Sequence, residues 1–598
     1  MDDRRSAGQP AFLNVEKSLG GKRWRPRLVD ERRALAISQK FALPDVLGRV
    51  LAARGVDIGL VEGFLNPKLR NLLPDPAHLL DMDKAVERLV SAIHDGETIG
   101  IFADYDVDGA CSASILARFF ASIGREVMVY VPDRVREGYG PNVPGLLKLK
   151  DSGVSLVLTV DCGTTAFEPL ACVADAGLDV IVIDHHIAEP QLPAALAVVN
   201  PNRLDETSPL GQLCAAVVTF MLIIALNRAL RESHWYGEGH NEPKLIDWLD
   251  LVALATVADV VPLSGINRAL VRQGLSIMAR RGNAGIAALV DVAGVEETLE
   301  AWHLGFMLGP RVNAGGRVGE AGLGAQILTT TDHDTATGIA MRLDQYNTER
   351  RQIEAGVLDS AMAQAEQQAK NGVPLIVVAA GGWHPGVIGI VAGRIKDTFN
   401  LPTCVISLES GLGKGSGRSV QGVDLGSAVI AAHQAGHLHN GGGHAMAAGF
   451  VVAVDNLSKF KNFMEGHIIE QLSGKVLVPE IGIDAALTPE AGSVELFDSL
   501  NLAGPFGAGN PRPRFVLPSV TPVSSNIVGS NHIRCFLQST TGGRRIKAIA
   551  FRIAGTPAGN MLINARGSAL HVAGHLNIDS WKGERRTQFV IEDVARAG

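Results

Sequence analysis

Three carboxylates alternate along one short stretch of the chain: ADYDVDGACSAS, residues 103–114, sets Asp104, Asp106 and Asp108 directly after the apolar run TIGIFA. The construction recurs twice. LVLTV runs into Asp161-Cys162-Gly163, and DVIVI runs into Asp184-His185-His186. A further acid, Asp259, comes after the apolar stretch LVALATVA. Like carboxylates held together repel, and their pKa values separate unless cations neutralise them. An oxygen-rich cluster with one or two imidazoles suits Mn²⁺ or Mg²⁺ better than thiolate-loving metals. Two such ions about 3.5–4 Å apart can activate water and stabilise a leaving oxygen in phosphoester hydrolysis. The spacing Asp-x-Asp-x-Asp-Gly also opens a calcium-binding EF-hand, but that loop needs a bidentate Glu at position 12, where this chain has Ile115.

The elements that must position these acids can be read from the patterning around them. From 98 to 200 short apolar runs alternate with helical stretches, the rhythm of a parallel sheet covered by helices. Open sheets of this kind place ligands beyond the carboxyl ends of their strands, where all three acidic segments fall. Helical patterns dominate 210–290. Between Pro310 and Pro374 there is no proline, which predicts a long connecting helix, with Gly338 and Gly356 as candidate interruptions. A second α/β rhythm comes next, with GWHPGVIGI (382–390), GKGSGRS (413–419) and HNGGGHAMAAGF (439–450) read as glycine-rich loops. Such loops expose backbone N–H groups to anions. From about 475 short strands with turn signals predict a small five-stranded barrel of the OB type. Residues 1–75 read as a basic-leaning helical lead-in that packs on the α/β lobe after it.

Composition bounds the rest. The chain has 598 residues, 46% of them hydrophobic, and six scattered cysteines without a C-x-x-C pair, so neither a disulfide framework nor a thiolate zinc site is expected. The opening MDDRRSAGQPAFLN lacks the apolar core of a secretory signal. The longest apolar run, LCAAVVTFMLIIAL, is shorter than a membrane span and reads as a buried helix. A cytoplasmic protein is expected. Net charge is −7, but from residue 511 onward twelve Lys and Arg face four Asp and Glu, a local +8. That asymmetry fits an acidic metal-binding body joined to a polyanion-binding module. Histidines 433, 437, 439 and 444 do not read as a zinc site in their glycine-rich setting.

In their order and spacing, DYDVDG, DCG, DHH and ATVADVVPL resemble the four motifs of the DHH phosphoesterase superfamily. From about residue 40 onward the chain is similar to that superfamily's bacterial single-strand-specific 5′→3′ DNA exonucleases. The resemblance implies an α/β fold with five parts. These are an N-terminal helical lead-in (1–75), a parallel-sheet DHH lobe (76–330), a long helix (331–372), a smaller α/β DHH-associated lobe (373–472) and an OB-type β-barrel (473–598). It implies that Asp106, Asp108, Asp161, His185 and Asp259 ligate two divalent ions, Mn²⁺ or Mg²⁺, with Asp161 the bridge. Other members carry a histidine ligand where this chain has Phe102, and Asp104 is the candidate substitute. His186 would contact the scissile phosphate or assist proton transfer, and Asp184 would orient the histidines.

The same resemblance implies a capture site for a 5′ phosphate built from Arg134, Ser416 and Arg418, with Arg311 and Arg317 contributed by GPRVNAGGRVG. It implies nucleic-acid phosphate held by Gly442, Gly443 and His444. In the C-terminal module Trp581 is the expected stacking platform, with Arg544, Arg545, Arg585 and Arg586 available to phosphates. The expected activity is processive release of 5′-mononucleotides from single-stranded DNA in repair and recombination, by a monomer working with a helicase and a single-strand-binding protein. A hydrolase of small substrates, such as short oligoribonucleotides, cyclic dinucleotides or pyrophosphate, is the alternative, which the residues after 475 disfavour. A non-catalytic scaffold is disfavoured by the filled ligand positions.

Overall fold

The computed structural model describes residues 9–134, 136–237, 240–565, 567–581 and 584–597. Two compact units emerge. One spans residues 73–477, and the other joins the residues before 73 to those after 477.

In the larger unit, the strands Ile99–Ala103, Val127–Tyr130, Leu156–Val160, Asp179–Ile183 and Ala197–Val199 pair in parallel throughout. Their spatial order puts Ile99–Ala103 between Val127–Tyr130 and Leu156–Val160. Every residue of the Ile99–Ala103 and Leu156–Val160 strands is buried, which explains why both read as unbroken apolar runs. The winding of the sheet reverses between these two neighbours. The crevice at their carboxyl ends is the switch point where sheets of this type bind ligands, and the first two acidic segments emerge there. LCAAVVTFMLIIAL lies within and just before the Ala215–Glu232 helix, whose residues are largely buried, and among the described residues no helix is long and apolar enough to cross a membrane.

The helix His333–Lys370 runs 38 residues without a break, about 57 Å at 1.5 Å per residue. Gly338 and Gly356 do not interrupt it. A β-carbon at either would meet nothing within 4 Å, so they are plain helical positions on an exposed face. Asp332 caps the start by accepting from the Thr335 N–H at 2.7 Å.

Beyond this helix lies a five-stranded sheet ordered Asn440–His444, Ala447–Ala453, Leu412–Arg418, Thr403–Glu409, Ile376–Gly381, antiparallel except for the last pair. Two of the expected glycine-rich loops are strands here. The reason is packing: β-carbons at Gly413, Gly415 and Gly417 would come within 2.7, 2.1 and 2.6 Å of Ile406, Phe450 and Leu425. Glycine at every second position lets the backbone press against the core, while Lys414, Ser416 and Arg418 occupy the other face.

The smaller unit is a closed barrel of Phe515–Val528, His532–Ser539, Gly542–Ala550, Glu584–Arg596 and Leu570–Trp581, the last pairing back to the first. The N-terminal segment belongs to it. Arg23–Pro26 pairs in parallel with Glu480–Ile483, and buried Trp24 donates from Nε1 to Asp593 Oδ2 at 2.8 Å. Ile37, Leu47 and Leu51 share one core with Phe515, Ile533 and Leu562. The lead-in therefore joins the module farthest from it in sequence, a long-range pairing to which local patterning is blind.

Candidate metal centre and phosphate cleft

Asp106 caps the Val107–Ser122 helix. Its Oδ1 accepts from the N–H groups of Asp108 (2.9 Å) and Gly109 (3.2 Å), and the Val107 N–H is held by Asn313 Oδ1 at 3.0 Å. Gly109 is obligatory, since a β-carbon would lie 2.3 Å from the Asp104 carbonyl oxygen. That close approach folds the loop tightly enough to bring its three acids together. Asp108 is buried and accepts from the Ala215 and Ala216 N–H groups at 2.7 and 2.8 Å, the first turn of the Ala215–Glu232 helix.

Asp161, the residue after Leu156–Val160, adopts φ +59°, a left-handed conformation that, glycine aside, Asn and Asp adopt most readily. Its N–H donates to the Ile183 carbonyl at 3.0 Å and its own carbonyl accepts from Tyr139 Oη at 3.2 Å. Gly163 (φ +118°) completes the turn where a β-carbon would meet Thr159 Oγ1 at 2.6 Å. His185 Nε2 stands 3.3 Å from Asp161 Oδ1 and 3.8 Å from Asp108 Oδ2, and its Nδ1 stands 3.7 Å from Asp259 Oδ2. Three overlapping groups each bring ligand atoms within 4.8 Å of one another: Asp104, Asp106 and Asp161; Asp108, His185 and Asp259; Asp161, His185 and His186. Every residue expected from the sequence to ligate metal lies in this one cluster, Asp104 included.

The electrostatics show what the cluster lacks without cations. Burial, then the charge of Asp106, pushes Asp104 up to about 7. Burial, then Asp108 and Asp106, pushes Asp259 up to about 9. Asp161 is raised well above the carboxylate range by burial and four neighbouring aspartates. Such a set is stable in ionised form only around positive charge. Oxygen donors with an imidazole fit Mn²⁺ or Mg²⁺, and the neighbouring Cys162 thiol is buried and raised, directed at the Val160 carbonyl 3.4 Å away.

Asp184 and His186 form a separate pair, Oδ1 to Nδ1 at 2.7 Å. Burial would raise Asp184, but the His186 hydrogen bond and charge, with Thr164, hold it below the usual range. Burial would likewise lower His186, yet Asp184 lifts it to about 9. Two asparagines that carry no signal in the sequence brace this turn. Asn200 Nδ2 donates to Thr164 Oγ1 and the His186 carbonyl, both at 2.8 Å, and Asn202 Nδ2 donates to the His185 carbonyl at 2.5 Å. Tyr139, equally silent in the sequence, puts its hydroxyl 3.2 Å from His186 Nε2.

Next to the cluster lies a cavity of about 250 Å³ lined by Tyr105, Arg134, Arg317, Lys414, Ser416 and Arg418 among others, with no acidic residue in its wall. It brings together four of the expected phosphate-binding residues and adds Lys414. Tyr105, between two metal-site aspartates, accepts from Arg134 Nη1 and lies under its guanidinium. Arg317 Nη1 donates to the Gly386 carbonyl at 3.0 Å. Arg418 Nη1 reaches Ser416 Oγ at 3.2 Å, and burial followed by Arg317 and Arg134 lowers its pKa. Gly442, Gly443 and His444 form the sheet's edge strand. Gly443 takes φ +152° where a β-carbon would meet the Ala447 carbonyl at 2.3 Å. Burial, then the charges of His186 and His185, lowers His444.

Arg311 does not join them. It is buried, with Nε 2.9 Å from Asp344 Oδ1 and Nη1 2.7 Å from the Met307 carbonyl, so it ties its own helix to the long helix. The Trp581 side chain lies outside the described residues. In the barrel Phe515 and Phe589 are core, whereas Phe536 and Phe551 are exposed. All four arginines of that set are exposed; Arg585 is paired with Asp498 and Arg586 with Glu584, each at 2.5 Å, whereas Arg544 and Arg545 form no ion pair among the described residues.

Comparison with known proteins matches three family models in order: the DHH family N-terminal domain at 98–256, the DHHA1 domain at 372–470 and the RecJ OB domain at 483–593. The single-stranded-DNA-specific exonuclease RecJ of Dickeya dadantii is 36% identical over 92% of this chain and 96% of its own length. This chain belongs to the RecJ family. The Escherichia coli RecJ is 34% identical over 95% of this chain and 98% of its own length. The crystal structure of Thermus thermophilus RecJ in complex with Mn²⁺ aligns with a TM-score of 0.77 at 29% identity, over 95% of this chain and 78% of that one. The RecJ fold thus accounts for the parallel-sheet lobe, the second lobe and the closed barrel alike.

Proposed function

We propose that this chain is a metal-dependent exodeoxyribonuclease that degrades single-stranded DNA from its 5′ end and releases 5′-mononucleotides. Tyr105 carries the reading: it stands between metal-site Asp104 and Asp106 in sequence and holds Arg134 of the acid-free cavity through its hydroxyl. A terminal phosphate seated among Arg134, Ser416 and Arg418 therefore lies beside the cluster that cuts, which ties cleavage to the first linkage and sets polarity.

Asp104, Asp106, Asp108, Asp161, His185 and Asp259 would hold two divalent ions, with Asp161 shared between them. Ions bound there supply an activated water and charge compensation for the leaving oxygen. The chain's own contribution is orientation and proton supply. Asp184 fixes His186 through Nδ1 and favours its charged form, so Nε2 can donate to the scissile phosphate or to the departing 3′ oxygen. Gly442, Gly443 and His444 offer an edge strand to the next phosphate, and the barrel's exposed Phe536, Phe551, Arg544 and Arg545 suit a single strand. Members named as single-strand-specific exonucleases over nearly the whole length support this reading. We place the protein in cytoplasmic DNA repair and recombination as a monomer, fed by a helicase and a single-strand-binding protein.

The test is a time course on end-labelled single-stranded and duplex DNA, with and without Mn²⁺. Mononucleotides released from the 5′ end of single strands, only with metal, are the expected result. Release from 3′ ends or equal attack on duplex would overturn it. Asp161→Ala should abolish the activity while leaving the protein folded.

A further inference from the structure

The cavity beside the metal cluster is larger and more strongly charged than one terminal phosphate requires. Arg134, Arg317, Lys414 and Arg418 give it four cations, and none of them has a carboxylate partner among the described residues. A terminal phosphate carries about −1.5 to −2 near neutral pH, and two further phosphoryl groups bring the total to about −4. The larger charge comes closer to that of the four cations in the wall. Volume agrees: about 250 Å³ corresponds to about eight waters at ~30 Å³ each, more than one phosphoryl group displaces.

Shape agrees as well. Lys414, Ser416 and Arg418 lie on one face of one strand, so Lys414 and Arg418 stand about 13 Å apart along it at ~3.3 Å per residue. A chain of phosphates spans that row from end to end, where one phosphate would meet only part of it. Facing this row, Gly389 leaves room where a β-carbon would meet Ser416 Oγ at 2.9 Å and Arg418 Nη2 at 3.0 Å. Burial, then the charges of Arg317 and Arg134, lowers Arg418, and an anion in the cavity would offset that cost.

We propose that the cavity accepts 5′-polyphosphorylated ends, so that the protein degrades strands bearing a 5′-triphosphate without prior trimming to a monophosphate. The inference rests on the exonuclease reading. In the first turnover water attacks the phosphorus of the first internucleotide linkage. The bond from that phosphorus to the 3′ oxygen breaks, and the 3′ oxygen takes up a proton. The products are a nucleoside 5′-triphosphate and a strand with a new 5′-monophosphate, and later turnovers release mononucleotides.

The experiment compares oligodeoxynucleotides of one sequence bearing a 5′-hydroxyl, 5′-monophosphate or 5′-triphosphate, with chromatography of the first product. The expected result is release of intact nucleoside triphosphate at a kcat/KM within threefold of the monophosphate strand. Lys414→Gln should lower the triphosphate-to-monophosphate ratio of kcat/KM about tenfold. A triphosphate strand cut more than tenfold slower than the monophosphate strand overturns the proposal, as does an unchanged ratio in Lys414→Gln. Failure on the monophosphate strand too would instead sink the exonuclease reading.

Discussion

Nδ1 of His186 lies 2.7 Å from Oδ1 of Asp184, and each residue moves the other's protonation in the direction that favours a charged pair. Asp184 also accepts from the N–H groups of Thr164, His185 and His186, so its carboxylate organises the whole turn. Asp184→Asn swaps an acceptor oxygen for a donor facing one of these N–H groups. We expect kcat to fall about 10–100-fold, with the pH profile of kcat shifted as His186 loses its partner. Steady-state kinetics across pH, beside Mn²⁺ titration, check this. An unshifted profile would mean the pair does not govern His186.

Metal dependence of stability has a defined sign. Asp104, Asp161 and Asp259 sit above the ordinary carboxylate range, at about 7 for Asp104 and about 9 for Asp259. An unfolded aspartate ionises near 3.9. Between about pH 4 and pH 9 the metal-free folded protein therefore holds more protons at these positions than the unfolded chain. Their contribution to stability is present at low pH and lost as pH rises through the folded values. Bound cations reverse that loss. The rise in melting temperature on adding Mn²⁺ should be larger at pH 8.5 than at pH 6, as thermal scans with and without chelator would show. Equal rises would argue against the cluster as the binding site.

Arg418→Ala removes a guanidinium from the cavity. The expected effect is a loss of preference for a 5′-phosphorylated over a 5′-hydroxyl strand, about 10–150-fold in kcat/KM from one charge-assisted contact of about 1.5–3 kcal/mol. Competition between the two strands measures it directly. Equal losses on both ends would show that Arg418 binds the strand elsewhere.

Asp484 is fully buried and accepts from Arg27 Nη1 and Arg54 Nη1, each at 2.7 Å, and from the Arg514 N–H at 2.9 Å. Asp484→Ala removes the shared carboxylate partner of the largely buried Arg54 and the partly buried Arg27 and should cost about 3 kcal/mol. Denaturant unfolding of the intact chain, followed by Trp24 fluorescence, reads the barrel unit. A loss below about 1 kcal/mol would mean water replaces the carboxylate.

Where residues carry their own local signal, the sequence is legible. Apolar runs ending in Asp104, Asp161 and Asp184 predict both the parallel strands and the site at their ends, because burial on both faces writes itself as composition. GKGSGRS misleads because glycine signals a turn when read locally, and only Phe450 and Leu425, distant in sequence, show why a strand needs it. Arg311 and Arg317 occupy one motif and look alike. Asp344, on the long helix His333–Lys370, decides that the first is structural. Lys414 escapes a reading of the sequence because a lone lysine among glycines has no pattern until a sheet aligns it with Ser416 and Arg418.

The pairing of Arg23–Pro26 with Glu480–Ile483 bridges 457 residues, as Arg23 opposite Glu480 shows. At about 5–20 residues per second of synthesis, on the order of 20–90 seconds pass between the two strands' emergence from a ribosome. Trp24 and the arginines that clasp Asp484 spend that interval without their partners, while the DHH lobe can already condense. Completion of this unit therefore waits on the residues after 477, and a chain stalled before them presents Trp24 and its neighbours as an unfinished surface to chaperones and proteases.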